Sequence, residues 1–194
     1  MIRSSLAVLG FALVACSPPQ SAEQAPEGVH APAEAASTAA CSVTAQPREL
    51  QFGGEPYRVE ATAGGDSCDR ATASLRLIAP NGNAIFETAY PTNQVPLSFN
   101  ANGADQARLT TELNAWTENV AQQPTADGLP AWPAGSQRPP HFTPALAREA
   151  YEAARTARRP VFCFPDSGES NACVAIDTAA QAAALLGSWT PERR

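Results

Sequence analysis

The residues with chemistry to offer gather late in the chain. Asp166-Ser167-Gly168-Glu169-Ser170-Asn171 sets two hydroxyls among two carboxylates and an amide. A serine becomes a nucleophile only when a base can take its proton and a third group orients that base. His141 is the single histidine beyond residue 40, and Gly-x-Ser-x-Gly does not occur, so the pattern of a nucleophile elbow is missing. Asp166, Glu169 and Asn171 offer oxygens to a hard cation, but without the spacing of an EF-hand loop. No Cys-x-x-Cys occurs and no second histidine or cysteine stands near His141, so the zinc-ligand pattern is missing as well. Nor is there a glycine-rich phosphate loop. These absences predict a non-catalytic domain with no metal and no cofactor. Asp166, Ser167, Glu169 and Ser170 are then polar turn formers on a projecting loop, and they form the candidate contact surface.

The cysteines carry a different chemistry. The chain has five: Cys16, Cys41, Cys68, Cys163 and Cys173. Leaving Cys16 aside, four remain, an even number that in an exported chain reads as two disulfides with three possible connectivities. Cys163 and Cys173 flank a polar turn with strand-like residues on either side, which predicts a hairpin closed by its own bridge. Cys41 and Cys68 pair by elimination, tying the start of the domain to the turn after the strand at Tyr57–Thr62.

Cys16 is set aside because of what precedes it. Arg3 is followed by an apolar run from Leu6 to Val14, broken only by Gly10, and then by Leu13-Val14-Ala15-Cys16-Ser17-Pro18-Pro19. A short basic start, an apolar centre and small residues at a cut are the layout of a secretory signal. The apolar run is about half the ~20 residues a spanning helix requires. Leu13-Val14-Ala15-Cys16 resembles the lipobox of bacterial lipoproteins, over residues 1–16 only. The resemblance implies that residues 1–15 are removed and that Cys16 carries lipid on its thiol and amino group. Two or more acyl chains make a stable anchor. Ser17, standing where that family places Asp for inner-membrane retention, implies the periplasmic side of the outer membrane.

Residues 16–40 are mostly Ala, Pro, Glu, Ser and Gln, with Val29 the only large apolar side chain beyond the lipidated position and His30 a lone solvated histidine. Such a segment buries too little surface to offset its ordering entropy, so a disordered tether is expected. It would hold the domain roughly 25–30 Å from the lipid. Residues 41–194 then form one domain, long enough to bury a single core. The net charge of −6, with thirteen Arg and no Lys and no basic stripe, excludes nucleic acid as a partner.

Elements follow from periodicity and turn chemistry. Leu50–Phe52, Tyr57–Ala61, Ala71–Ile78 and Ala84–Tyr90 read as strands, with Pro80-Asn81-Gly82-Asn83 the strongest hairpin turn. Val95–Phe99 is a further edge strand. Leu109, Leu113 and Trp116 at helical spacing predict a helix over Asp105–Glu118, its stripe covering the strands. The Pro-rich stretch Gln122–Pro140 is a long loop, functional or disordered by its length, whose Trp132 packs back on the domain or serves as an exposed binding residue. Thr143-Pro144 reads as an N-cap and first helical residue, opening a helix to Ala157 with Ala147, Ala150, Ala154 and Ala157 as its packing face. Val161–Phe164 and Ala172–Ile176 are the bridged hairpin. Thr178 and Gln181 resemble a capping box for a last Ala-rich helix ending near Gly187.

The expected fold class is α+β: an antiparallel β-meander with two or three helices and a disulfide-bridged C-terminal hairpin. The hairpin and the Ala-rich helix before it resemble uncharacterised proteobacterial lipoproteins, a group that implies no particular activity. The expected role is a lipid-anchored envelope module binding an envelope protein or peptidoglycan. The rival readings are an inhibitor of lysozyme or another hydrolase, and an unrecognised hydrolase.

Overall fold

The computed structural model describes residues 40–92, 105–123 and 125–190. The expected signal segment, nearly all of the expected tether and the strand expected at Val95–Phe99 lie outside them. The fold is α+β, mostly antiparallel sheet, with ten strands in two sheets, two α-helices and two disulfides among the described residues.

The first sheet comprises β1 (Cys41–Thr44), β2 (Arg48–Phe52), β3 (Glu55–Gly65), β4 (Thr72–Ile78) and β5 (Ala84–Pro91). β3, β4 and β5 follow one another as antiparallel neighbours, while β1 and β2 share the other edge of β3. Side chains alternate with period two, so Tyr57, Val59, Ala61 and Ala63 of β3 are buried together with Ala73, Leu75 and Leu77 of β4. The opposite face carries Glu60, Arg76 and Glu87 in register across three strands. The Cys41–Cys68 disulfide joins the start of β1 to the 3-10 turn Cys68–Arg70.

α1 (Gln106–Glu118) packs on β1 and β3. Asp105 caps it, its side chain accepting the Arg108 N–H at 2.7 Å. At the other end the Arg48 guanidinium donates to the carbonyls of Thr117 and Glu118, placing a cation at the negative end of the helix dipole. Leu109, Leu113 and Trp116 are buried.

The second sheet is ordered β6-β8-β9-β10-β7. Its strands are β6 (Ala121–Gln123), β7 (Phe142–Pro144), β8 (Val161–Pro165), β9 (Asn171–Asp177) and β10 (Ala182–Trp189), with α2 (Arg148–Thr156) between β7 and β8. Its central strands are buried on both faces. Phe162, Phe164, Val174 and Ile176 join the core that the first sheet and α1 share. Val161, Cys163, Cys173, Ala175 and Leu186 face a second core under α2 and the Pro-rich segment. The Cys163–Cys173 disulfide spans a directly paired position of β8 and β9 and lies in that second core. Each bridge contributes on the order of 3 kcal/mol by the chain-entropy argument.

Three expectations are corrected. Thr178 and Gln181 do not cap a helix. Residues 178–181 are the β9–β10 turn, closed by the Ala180 N–H on Asp177 Oδ1 at 2.9 Å, and the Ala-rich run that follows is β10. Helix propensity favours alanine by less than 1 kcal/mol per residue over ordinary residues, and a strand slot between β9 and β7 outweighs it. Thr143-Pro144 is likewise not a helix start but edge strand β7, paired with Ser188 and Gly187. The helix begins at Arg148 after Ala147. Its buried face is Tyr151 and Ala154, while Ala147, Ala150 and Ala157 are exposed.

Candidate functional site

The hairpin turn after β8 is built by its own polar groups. The Asp166 and Ser167 amides donate to the Ser170 carbonyl at 3.2 and 3.4 Å. Ser167 Oγ accepts the Ser170 amide at 3.0 Å and the Glu169 amide at 3.3 Å, and it is hydrogen-bonded to Ser170 Oγ. Ser170 Oγ donates to Asp166 Oδ1 at 2.6 Å, and Ser188 Oγ of β10 donates to Asp166 Oδ2. From the helix side, Trp116 Nε1 donates to the Pro165 carbonyl at 2.9 Å. Of the four residues expected on a contact surface, Asp166 and Ser170 are therefore half-buried fasteners. Ser167, Gly168 and Glu169 are the exposed tip.

Strand register brings a second group to the same end of the sheet. Asn171 pairs with Trp189, and Trp189 pairs with Phe142. One step outward, the Thr190 amide donates to the His141 carbonyl at 2.9 Å. The hairpin turn, Thr190 and His141 thus form one rim. The backbones of Ser170 and His141 stand about two strand spacings apart, roughly 10 Å. His141 adopts φ +54°, an uncommon conformation for a residue with a Cβ and a frequent companion of functional sites. Beside it lies a cleft of about 610 Å³, walled by Pro133, Ser136, Arg138, Pro140, His141 and Thr143. Sequence reasoning set His141 and the hairpin turn 25 or more residues apart. Only the β9-β10-β7 order brings them together, and no sequence signal announced that order.

The Pro-rich wall is held by α2. Tyr151 Oη donates to the Pro130 carbonyl at 2.8 Å. Glu152 Oε1 accepts the Trp132 amide at 2.8 Å. Arg155 donates to the Leu129 and Asp127 carbonyls, both at 3.2 Å, and pairs with Glu152 at 2.9 Å. Trp132 packs edge-on against Tyr151 with ring centres 5.9 Å apart, and its Nε1 donates to the Ser136 carbonyl at 3.0 Å. Burial works against the Glu152 charge, but the Trp132 N–H and the Arg155 guanidinium outweigh it and hold the carboxyl below its usual range. The stretch expected as a long loop is thus a fixed outer layer over the second sheet.

Burial also lifts the phenol of Tyr151 to about 12, with Glu152 adding to the effect and Arg155 opposing it. Tyr57 and Tyr90 are raised as well, chiefly by burial, and these are all the tyrosines in the chain. A phenol raised in the folded state favours folding fully below its unfolded value of about 10. That contribution is lost as the pH climbs from there through the folded value. Tyrosinate absorbance should therefore stay low in the native chain at pH values that half-ionise the denatured chain. It should then rise together with loss of the near-ultraviolet circular dichroism. An ordinary phenol titration in a chain that keeps its dichroism would contradict the burial of these rings.

Among the described residues, no three His, Cys, Asp or Glu side chains come together as a metal site, and no helix is long and apolar enough to cross a membrane. Compared with known proteins, the chain matches no family model, no curated protein and no solved structure.

Proposed function

We propose that this chain is an exported lipoprotein in which Cys16 is lipidated, residues 16–40 are the tether, and the α+β domain is a binding module at the cell envelope. The observation that carries the reading is Leu13-Val14-Ala15-Cys16, an apolar run ending in a cysteine at the cut and followed by Ser17 and two prolines. The pairing of all four domain cysteines supports export, since disulfides persist in oxidising compartments. Binding rather than catalysis is supported by how the hydroxyls near Asp166 are used: Ser170 and Ser188 both donate to its carboxylate and close the turn. The contact region is the rim that joins the Ser167–Glu169 tip to the cleft beside His141. Its partner is an envelope protein or peptidoglycan, met from the periplasmic side of the outer membrane.

One feature favours an inhibitor as the second reading. The exposed tip is held rigid from below by a disulfide and by its own hydrogen bonds, so it would lose little freedom on entering an enzyme cleft. Inhibition of lysozyme by the purified chain at stoichiometric dose separates this reading from the first.

The anchor is tested by expressing the chain and its Cys16→Ala variant in a Gram-negative host. The mature wild-type N-terminus should be Cys16 with acyl mass, and the protein should sediment with outer membrane. Cys16→Ala should remove the acyl mass and release the chain from the membrane. A wild-type N-terminus that begins elsewhere, or that bears no lipid, ends the lipoprotein reading.

A further inference from the structure

We infer that the cleft beside His141 is a binding site for a carboxylate carried on a small neutral body of about dipeptide size, with Arg138 as its anion anchor. The inference rests on reading the domain as a binding module and does not depend on the lipid. Five arginines of the chain, Arg58, Arg76, Arg155, Arg158 and Arg159, pair with carboxylates between 2.7 and 3.7 Å. Arg48 is taken up by the end of α1. Arg138, like Arg70, Arg108 and Arg148, is in none of these pairs, and of the four it is the one that lines the cleft. In a chain of net charge −6, a cation outside those pairs at a concave site is a conspicuous anion anchor. A planar guanidinium also matches a carboxylate through two parallel hydrogen bonds.

Its backbone is pre-set. Ser136 Oγ donates to the Arg138 carbonyl at 2.7 Å and accepts the Arg138 amide at 3.4 Å. The Ser136 carbonyl is held in turn by Trp132, which α2 fixes through Glu152 and Tyr151. The backbone that carries the anchor therefore belongs to a wall that is already ordered, which cuts the part of the binding entropy that the main chain would lose. The rest of the cleft defines the body of the ligand. Pro133 and Pro140 give rigid apolar walls, while the hydroxyls of Thr143 and Thr190 supply neutral hydrogen-bonding groups. A volume of about 610 Å³ falls within the range of small-ligand sites. Peptides ending in a free carboxylate and free organic acids both present this chemistry.

The test titrates the full chain, in detergent micelles, with N-acetyl-Ala-Ala (Ala-Ala below, its amine blocked so that the body is neutral), with the C-terminal amide of the same acetylated peptide and with acetate, followed by calorimetry and by amide chemical shifts. Ala-Ala should bind and shift the amides of Ser136, Arg138 and Thr190. The amidated peptide should bind at least tenfold more weakly. Arg138→Gln should cost roughly tenfold or more in affinity for Ala-Ala with no change in melting temperature, and rising salt should weaken wild-type binding. Equal binding of acid and amide, an unaffected Arg138→Gln variant, or no binding of Ala-Ala at millimolar concentration would overturn the inference. Acetate binding as tightly as Ala-Ala would overturn the assignment of the proline walls. Capture of an envelope partner through the hairpin tip, with the cleft silent to Ala-Ala, would leave the binding-module reading standing and remove this one.

Discussion

Replacing Gly187 by alanine should destabilise the domain by roughly 3–5 kcal/mol, a sum of backbone strain and overpacking. Gly187 has φ +147°, in a region that residues with a Cβ rarely enter. It follows a β-bulge in β10, where the pairing with β9 shifts between Leu185 and Gly187. A Cβ built there would stand 2.3 Å from the Thr143 carbonyl oxygen, 2.7 Å from the Phe142 ring and 2.8 Å from Pro144 Cα. Two of these atoms are backbone, so β7 would have to leave its place on β10. The rim with His141 and Thr190 would go with it. Gly54→Ala is the control, because Gly54 has φ +85° with nothing within 4 Å of its would-be Cβ. That variant should cost only about 1–2 kcal/mol, the ordinary penalty of the left-handed conformation. Denaturant midpoints of the two variants decide the matter. If Gly187→Ala loses no more stability than Gly54→Ala, the close approach of β7 to the bulge is wrong.

Trp116→Ala should be comparably damaging, at about 3–5 kcal/mol for a fully buried indole. Trp116 has no exposed surface and stands where α1, the first sheet and the second sheet meet. Its ring lies edge-on to Tyr90 at 6.0 Å and to Phe164 at 6.4 Å. Its Nε1 supplies the hydrogen bond to the Pro165 carbonyl, at the base of the hairpin turn. Trp116→Phe keeps much of the volume and removes only that donor, so it should cost about 1–2 kcal/mol. Hydrogen exchange separates the two roles. In Trp116→Phe the amides of residues 166–170 should exchange faster while the core of β3 and β4 stays protected. Unchanged exchange in the turn would show that the indole donor does not steady it. A loss below about 1 kcal/mol in Trp116→Ala would contradict the shared core.

The rim illustrates why a residue list says little about a site. Asp166, Ser167 and Ser170 look like reactive groups when read along the chain. In the fold, both carboxylate oxygens of Asp166 accept serine hydroxyls, and the loop is a brace for β10. The cation that lines the cleft outside the arginine–carboxylate ion pairs is Arg138, which stands in a segment that sequence reasoning treated only as a proline-rich loop.

Local chemistry by itself determined the α+β class, the paired strands from Leu50 to Tyr90 and the helix carrying Leu109, Leu113 and Trp116. These follow from periodicity and turn residues acting over a few positions, where one face must meet the core and the other water. The alternation of Phe162 and Phe164 with Val161 and Cys163 was legible for the same reason, and the fold places those pairs in two different cores. Tertiary structure alone decided the Ala-rich run after Gln181. Alanine is small enough for either state, and the place between β9 and β7 in the sheet makes this run a strand. Tertiary structure also decided Thr143-Pro144, which has the look of a helix start but lies on β10. It decided the outer wall as well, because the carbonyls of Asp127, Leu129 and Pro130 find their donors on α2, 21 to 28 residues away. Contacts of that range leave no trace in a local pattern, since the cost of closing the intervening chain is met only by the assembled fold.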